Sequence, residues 1–214
     1  MLVLDVYFDY SCPWSYLAFV RAREAAMRTG AEIRWRPVLA DRIFEAVKSR
    51  RLENRLAVDP GKAAYQQKDL KDWARFCSIS ITLPDGWPVD STHALSGAIV
   101  AIEQDLMVPY CNAVFEAYFE NAQDISKITV LAKIAASVGL DAKAFKAKIR
   151  ETKGFEQVLS NSNELIERGG FGIPTMFVGD DMYFGNHSMP LVELALGQAS
   201  ESTFIMPGEH SSLG

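Results

Sequence analysis

The chain has 214 residues, 49% of them hydrophobic and 11% aromatic, so it can fold around a sizeable core and does not have the composition of a disordered protein. Its formal net charge of −5, with both signs spread along the chain, argues against nucleic acid or an anionic membrane as a partner. No apolar run reaches the roughly 18 residues of a membrane span, and residues 1–10 lack the basic start of a signal peptide.

The first part of the chain predicts a β-α-β unit. Residues 2–8 (LVLDVYF) are rich in β-branched and aromatic side chains and indicate a buried strand. Pro13 suits the first position of a helix, which we expect to run to about Arg28 and to end at Thr29-Gly30. Residues 31–36 alternate as a second strand does, and Pro37 closes that strand.

The middle of the chain is a long segment of helical periodicity. Helices are predicted at residues 60–76, from Ser91 or Thr92 onward, at 109–120, at 126–138, from Asp141 onward and at 155–168. Residues 83–90 (LPDGWPVD), with two prolines and a glycine, are typical of a turn. Because a helical segment of this length cannot lie within a sheet, we expect a helical domain inserted at residues 39–153.

The pattern returns to strands near the end of the chain. Residues 174–178 (PTMFV) and 182–184 (MYF) predict two strands, joined by a hairpin turn at residues 179–181. Residues 190–198 predict a closing helix, and residues 200–214 a loose tail. Residues 1–38 and 154–199 are therefore expected to form one discontinuous α/β domain, a mixed sheet with helices on both faces.

Cys12 is the first candidate functional residue. It follows the first strand and directly precedes the predicted helix, so its sulfur faces the unpaired N–H groups of the first turn, where the helix dipole favours negative charge. We therefore expect a reactive cysteine whose pKa lies below the usual value of about 8.5. Trp14 can wall this site, and the hydroxyl of Ser15 can donate to the sulfur. The alternative is that Cys12 is a buried thiol at a strand end.

The other two cysteines, Cys77 and Cys111, lie in apolar helical patterns and are predicted to be small buried hydrophobic residues. Three cysteines without a secretory signal predict free thiols in a reducing compartment, so we expect the cytoplasm. No spacing of histidine, cysteine and aspartate predicts a metal site, and no metal is expected.

Pro174 begins a predicted strand directly after a glycine-rich turn, which makes it a candidate for a cis peptide bond. Cis bonds account for only about 5–6% of X–Pro bonds in folded proteins, so the pattern alone favours an ordinary trans proline at a strand start.

Several stretches together resemble the thioredoxin-fold family, and within it the DsbA-like branch that includes 2-hydroxychromene-2-carboxylate isomerases and kappa-class glutathione transferases. They are CPWSYLAF at 12–19, GGFGIPTMFV at 169–178 and MYFGN at 182–186, supported by shorter stretches at 62–74, 87–92 and 161–172. The likeness spans Phe8 to about Leu196. It implies an α/β fold in which a thioredoxin-like mixed sheet carries a large all-helical insertion domain.

The resemblance also implies roles for the residues around the thiol. Cys12 falls where isomerases and kappa transferases usually carry a catalytic serine, and where DsbA-like oxidoreductases carry the attacking cysteine. Ser15 falls on the second cysteine of the redox motif, so the resolving thiol is missing. Pro174 falls on the family's cis-proline, which makes a cis bond the expectation here. The backbone of Ile173 would pair with the cysteinyl part of bound glutathione.

A second group of implied residues would bind the γ-glutamyl end of glutathione. Asn186, His187 and Ser188 fall where relatives use an Asp-Arg pair. His187 stands in place of an acid, so the ammonium group of glutathione lacks its expected contact. In the insert, Asn54 matches a substrate-contacting asparagine, and Asp90 stands where an asparagine is expected.

With one sulfur and no resolving thiol, the resemblance leaves two enzymatic functions open. The favoured one is a glutathione-dependent isomerase of the 2-hydroxychromene-2-carboxylate type, acting on an aromatic or conjugated carboxylate, in which the thiolate of glutathione adds to the substrate and then leaves. The alternative is a monothiol thiol-disulfide oxidoreductase or a kappa-like glutathione transferase that uses Cys12. A module that binds glutathione or a peptide without turnover is a third hypothesis. Because relatives are commonly dimers, a homodimer is expected.

An aryl substrate would need an aromatic wall. Trp14 and Trp87 are candidates for it, and so are Tyr65 and Trp73. The helical spacing of Trp73 with Leu70 and Phe76 favours a place in the helical core instead.

Overall fold

The computed structural model describes residues 2–47 and 60–199. Its strands are β1 (Val3–Phe8), β2 (Glu32–Pro37), β3 (Thr175–Val178) and β4 (Asp181–Phe184). The helices in these residues are α1 (Pro13–Thr29), α2 (Ala40–Ala46), α3 (Pro60–Phe76), α4 (Thr92–Ile102), α5 (Met107–Phe115), α6 (Ile128–Ser137), α7 (Ala142–Lys148), α8 (Thr152–Glu167) and α9 (Met189–Ala199). A π-helical turn, Glu116–Glu120, continues α5, and a 3₁₀ turn, Asn186–Ser188, precedes α9.

The four strands form one mixed sheet in the order β2-β1-β3-β4. Strand β1 is central: it runs parallel to β2 and antiparallel to β3, and β3 pairs with β4 as an antiparallel hairpin. Val6 marks the register, because it lies opposite Trp35 on one side and Met176 on the other. The predicted α/β fold with a mixed sheet is confirmed.

The two faces of β1 bury different side chains, because successive residues of a strand point to opposite faces. Leu4 and Val6 pack against α1 and α9 with Met176, whereas Tyr7 packs with Phe177 and Leu165 under α8. Both faces of the sheet are therefore covered, and the end of β1 leads into the start of α1 at the edge of a buried core.

The helical segment shares a core with the sheet. The ring of Phe115 on α5 stacks on Tyr16 of α1 at 4.8 Å between centroids and meets Tyr10 at 4.9 Å. Burying such rings supplies about 1.5–3 kcal/mol each. Helix α8 begins at Thr152, so the predicted boundary at 153/154 falls inside its first turn. The predicted division of the chain into two domains and a tail stays a prediction, and the tail at 200–214 lies outside the described residues.

Two local predictions are corrected. The predicted helix at 109–120 consists of the α-helix α5 and the π-helical turn that follows it. Ser91 stands at the N-cap position of α4, but its side chain makes no capping bond, because its hydroxyl is engaged elsewhere. Asp141, in contrast, caps α7 by accepting the N–H of Ala144 at 2.6 Å.

None of the helices in the described ranges is long and apolar enough to cross a membrane.

Candidate active site at the start of helix α1

Cys12 occupies the N-cap position of α1, with φ −100° and ψ 116°, and Pro13 is the first helical residue. The turn before it is fixed by two backbone hydrogen bonds, because the N–H of Cys12 donates to the carbonyl of Asp9 at 3.1 Å and the N–H of Ser15 donates to the carbonyl of Cys12 at 3.0 Å. The Cys12 side chain is half-buried and packs against the apolar cluster that contains Ile173 and Phe44. The predicted position at the start of the helix is thus observed.

The prediction that the pKa of the Cys12 thiol is lowered is wrong. Burial raises the pKa of Cys12 above its ordinary value. The hydroxyl and N–H of Ser15 and the N–H of Trp14 lower the pKa, but they offset the burial only in part, and the carboxylate of Asp9 raises it further. A thiolate loses most of its hydration among apolar side chains, and this cost exceeds the benefit of the helix N-terminus. The sulfur is therefore protonated at neutral pH in the free protein.

The second predicted element lies directly opposite the sulfur. The Ile173–Pro174 peptide bond is cis, and the carbonyl oxygen of Ile173 lies 3.9 Å from Sγ of Cys12. Strand β4 supports this turn, because the N–H of Gly185 donates to the carbonyl of Pro174 at 2.9 Å. The fold therefore brings together two turns that are more than 150 residues apart, and the thiol faces main-chain polar groups.

Asp9 is a buried residue of this site that the sequence reasoning missed. Only 2% of it is exposed, and its carboxylate accepts the hydroxyl of Ser91 at 2.6 Å and the N–H groups of Ser11 and Ala40 at 2.9 Å each. Burial raises the pKa of this carboxyl, against the lowering by these hydrogen bonds. Asp9 thus ties the turn at Cys12 to the starts of α2 and α4. An aspartate directly after an apolar strand was the available signal.

Trp87 reaches the same turn from the helical segment. Its indole N–H donates to the carbonyl of Ser11 at 2.7 Å, and the Trp87–Pro88 bond is cis, which the sequence did not predict. Trp87 therefore lies against the turn that leads to Cys12, and its role as an aromatic wall for the substrate stays a prediction. Asn54, the other substrate residue expected from the insert, lies outside the described residues.

The turn Asn186–Ser188, predicted to belong to the site, lies close to Trp14. The guanidinium of Arg21 donates to the backbone carbonyl and side-chain oxygen of Asn186 at 2.7 and 3.1 Å, and Ser188 donates to the carbonyl of Phe184 at 2.7 Å. The side chains of Asn186 and Ser188 thus hold the turn in place. The side chain of His187, in contrast, is 56% exposed, and its ring lies 5.4 Å from that of Trp14.

Trp73 contacts the turn at His187 and is not a core residue. It is half-buried, and its indole N–H donates to Nε2 of His187 at 3.0 Å. The guanidinium of Arg21 stacks over its ring at 4.5 Å. The preferred assignment to the helical core is wrong, because α3 lies on the surface with Ala74 as its one buried residue. Tyr65, on the same helix, is 64% exposed.

The two other cysteines differ from each other. Cys111 is fully buried, as predicted, and burial raises its pKa far above the ordinary value. Cys77 is only half-buried, which differs from the predicted buried residue, because it follows the surface helix α3. Within the described residues, no group of three or more histidine, cysteine or acidic side chains is placed to hold a metal ion.

The fold and site define the class of protein. A single thiol at the first turn of a helix, next to a cis-proline at the edge of a mixed sheet, is the arrangement of a thioredoxin-fold protein. The particular family follows from the sequence, because the model of the DSBA-like thioredoxin domain matches residues 3–197. The chain therefore belongs to the DsbA-like thioredoxin domain family.

Within this family, the chain is similar to isomerases and, more weakly, to a kappa-class glutathione transferase. The chain is 30% identical over 200 residues to a 2-hydroxychromene-2-carboxylate isomerase from Pseudomonas putida, a match that covers 92% of this chain and 95% of the isomerase. It is 23% identical over 224 residues to glutathione S-transferase kappa 1 from Caenorhabditis elegans, covering 98% and 97% of the two chains.

The same relationship is found in a solved structure. A 2-hydroxychromene-2-carboxylate isomerase superposes with a TM-score of 0.80 at 28% identity, over 92% of this chain and 95% of that one. Similarity of this extent to isomerases confirms the prediction that the chain is an enzyme.

Proposed function

We propose that the protein is a glutathione-dependent isomerase that acts on an aromatic or conjugated carboxylate, of the 2-hydroxychromene-2-carboxylate isomerase type. The observation that carries the proposal is the position of Cys12: a half-buried thiol at the start of α1, 3.9 Å from the carbonyl of Ile173, where burial raises its pKa. The full-length similarity to isomerases supports the same reaction class.

The residues of the site fit glutathione chemically. The thiol end of the tripeptide would meet Cys12 and the backbone of Ile173 next to the cis Pro174, and its γ-glutamyl end would meet the turn at His187. Trp14 links these two ends, because it follows Cys12 by two residues and its ring contacts His187. When bound, glutathione supplies the thiolate that adds to the conjugated substrate and leaves it after a bond has rotated.

Cys12 acts in this proposal as a hydrogen-bond donor and not as the nucleophile. A thiol that stays protonated can donate its S–H to a neighbouring thiolate, as a serine hydroxyl would at the same place. The hydroxyl and N–H of Ser15 and the N–H of Trp14 already face this sulfur, so they supply further positive polarity at the position where negative charge collects. The site is thus arranged to stabilise an external thiolate.

The substrate side of the site is apolar. Cys12 and Phe44 both pack against the apolar cluster that contains Ile173, and Trp87 covers the preceding turn through its bond to Ser11. A planar aryl or conjugated group fits such surroundings, because aromatic side chains bury large apolar areas and prefer offset or edge contacts with other rings.

A monothiol oxidoreductase, or a kappa-like transferase that uses Cys12, is the second candidate. It is favoured by one observation, the presence of a sulfur where the resemblance predicts a serine. In that function Cys12 attacks a disulfide and an external thiol resolves the mixed disulfide, which requires the thiolate form. The raised pKa of Cys12 disfavours that role in the free protein.

The test is to follow isomerisation of 2-hydroxychromene-2-carboxylate by the purified protein with glutathione, without it, and with S-methylglutathione, which lacks the free thiol. Turnover that requires glutathione and is absent with the methylated analogue is expected. Reduction of a model disulfide by glutathione, assayed in parallel, measures the second candidate. Isomerisation that proceeds equally without glutathione would refute the proposal.

Two accompanying predictions stay part of the proposal. A homodimer is expected, and sedimentation of the purified protein tests it. A cytoplasmic location is expected from the free thiols, and fractionation of the producing cells tests that.

A further inference from the structure

At the γ-glutamyl end of the proposed glutathione site, the positive charge of the ligand has no carboxylate partner in the turn at residues 186–188. This end of the ligand carries an ammonium group, which is held best by a carboxylate through a charge-assisted hydrogen bond. The turn at residues 186–188 (NHS) offers an amide, an imidazole and a hydroxyl, but no carboxylate. The anion for the ammonium group must therefore come from another element.

Helix α3 brings a carboxylate to this place. Oδ2 of Asp69 lies 3.1 Å from Nε2 of His187, and the Asp69 side chain is 20% exposed, so it is reachable from solvent without being fully hydrated. Two cations of the described residues near this end make their hydrogen-bonded pairs elsewhere: Lys68 pairs with Asp72 one turn along α3, and Arg21 donates to Asn186. The side-chain partner of Asp69 that the structure describes is His187.

Nε2 of His187 is shared by two groups that it cannot satisfy together. The indole N–H of Trp73 points at Nε2 from 3.0 Å and needs a lone pair there, whereas Asp69 at 3.1 Å needs a hydrogen there. A ring nitrogen carries either the lone pair or the hydrogen. One of the two partners, Trp73 or Asp69, is therefore left without its bond whichever form the ring takes.

We propose that His187 holds Asp69 only while the site is empty, and that the ammonium group of glutathione takes Asp69 over, leaving Nε2 to accept the indole N–H of Trp73. This inference rests on the proposed function and adds the identity of the group that recognises the amino end of the ligand. In the bound state the ring of His187 carries its hydrogen on Nδ1, so that Nε2 has a free lone pair. The exchange then satisfies all three groups at once: Asp69 gains a full cation, Trp73 a free acceptor and the ammonium group its carboxylate. It also makes α3, a surface helix, part of the ligand site.

The test compares glutathione with the same tripeptide lacking its amino group, by calorimetric titration. The wild-type protein is expected to bind glutathione about tenfold to a hundredfold more tightly than the deaminated analogue, as a charge-assisted bond implies. In Asp69→Asn the two ligands should bind within about twofold of each other, since an amide lacks the charge. Asp72→Asn, on the same helix, is the matched control and should keep the wild-type ratio.

A second variant and a spectroscopic readout separate recognition from helix stability. Asp69→Asn combined with His187→Asp returns a carboxylate to the turn and should restore the preference for glutathione. The ¹⁵N chemical shifts of the His187 ring should move, on addition of glutathione, to those of an unprotonated Nε2, and the deaminated analogue should leave them in place.

The outcomes distinguish this inference from the proposed function. If wild type and Asp69→Asn show the same ratio of affinities, or if the shifts of His187 do not respond to glutathione, the inference is refuted while glutathione binding stands. If the wild-type protein binds neither tripeptide, the proposed function fails and this inference fails with it.

Discussion

The two ends of the proposed glutathione site are built differently. At the thiol end, hydrogen bonds hold Cys12 and Asp9 in place, and several of these bonds involve main-chain groups. All of these bonds are made at the same time, so none of them excludes another. At the amino end, His187 is more than half exposed, and two side chains of α3 compete for one ring nitrogen.

This difference corresponds to what each end must do. Stabilising charge during a reaction needs donors that are already fixed in place, because reorganising them would raise the barrier. Recognising a charged ligand only needs a partner that can be exchanged for another. We therefore expect substitutions at the thiol end to reduce rate and stability, and substitutions at the amino end to change affinity.

The largest effect is expected for Cys12. Removing the donor in Cys12→Ala should lower kcat of the isomerisation by about 10²–10³-fold, whereas Cys12→Ser, which keeps a hydroxyl donor, should stay within about tenfold of wild type. Steady-state kinetics with saturating glutathione measures both. A Cys12→Ser variant as impaired as Cys12→Ala would instead favour a nucleophilic role for the sulfur.

Asp9 should dominate stability at this end. Asp9→Ala leaves the hydroxyl of Ser91 and two N–H groups buried without their acceptor, so the free energy of unfolding should fall by about 3 kcal/mol. Urea denaturation measures this, with Asp124→Ala as the control, because exposed Asp124 also accepts a serine hydroxyl and N–H. The control should lose less than about 1 kcal/mol.

The raised pKa of Asp9 also predicts a pH dependence. A carboxyl whose pKa is raised by folding holds its proton more tightly in the folded state, so its contribution to stability is fully present below the ordinary value of 3.8 and is lost as the pH rises through the raised value. Asp9→Asn, which resembles the protonated form, should remove this slope from the pH profile of unfolding. An unchanged slope would mean that Asp9 keeps an ordinary pKa.

The pKa of the Cys12 thiol can be measured directly, and its value tests the description of the thiol end of the site. In a Cys77→Ser background, the rate of alkylation of Cys12 should rise with pH along a curve displaced above the ordinary thiol pKa. Ser15→Ala should displace it further upward, because Ser15 is the main group that lowers this pKa. A curve below the ordinary value would contradict the assignment of Cys12 as a donor.

The smallest effects come from a matched pair of indole substitutions. Trp87→Phe removes the N–H that donates to Ser11 at 2.7 Å and should cost about 1 kcal/mol of unfolding free energy. Trp73→Phe removes the N–H that donates to exposed His187 and should cost less than about 0.5 kcal/mol. Equal losses would show that the two ends are held equally firmly.

Much of the framework was predictable from local pattern. The β-α-β start, the thiol directly before Pro13 and the hairpin near the end of the chain depend on propensities and turn chemistry within a few residues. The cis bond at Pro174 was not available from the pattern and came from the family resemblance, since base rates favour trans. It is observed.

The sequence by itself determined the place of Cys12 at a helix start and the strands of the sheet, because these depend on residues near one another in the chain. It determined the family through motifs whose order and spacing extend along nearly the whole chain. The tertiary structure decided the direction of the Cys12 pKa, the tie between Asp9 and Ser91, and the contacts of α3 with His187. Each of these depends on which distant segments pack together. Desolvation and long-range hydrogen bonds exist only once those segments meet, and for that reason local pattern gave the wrong direction for the thiol.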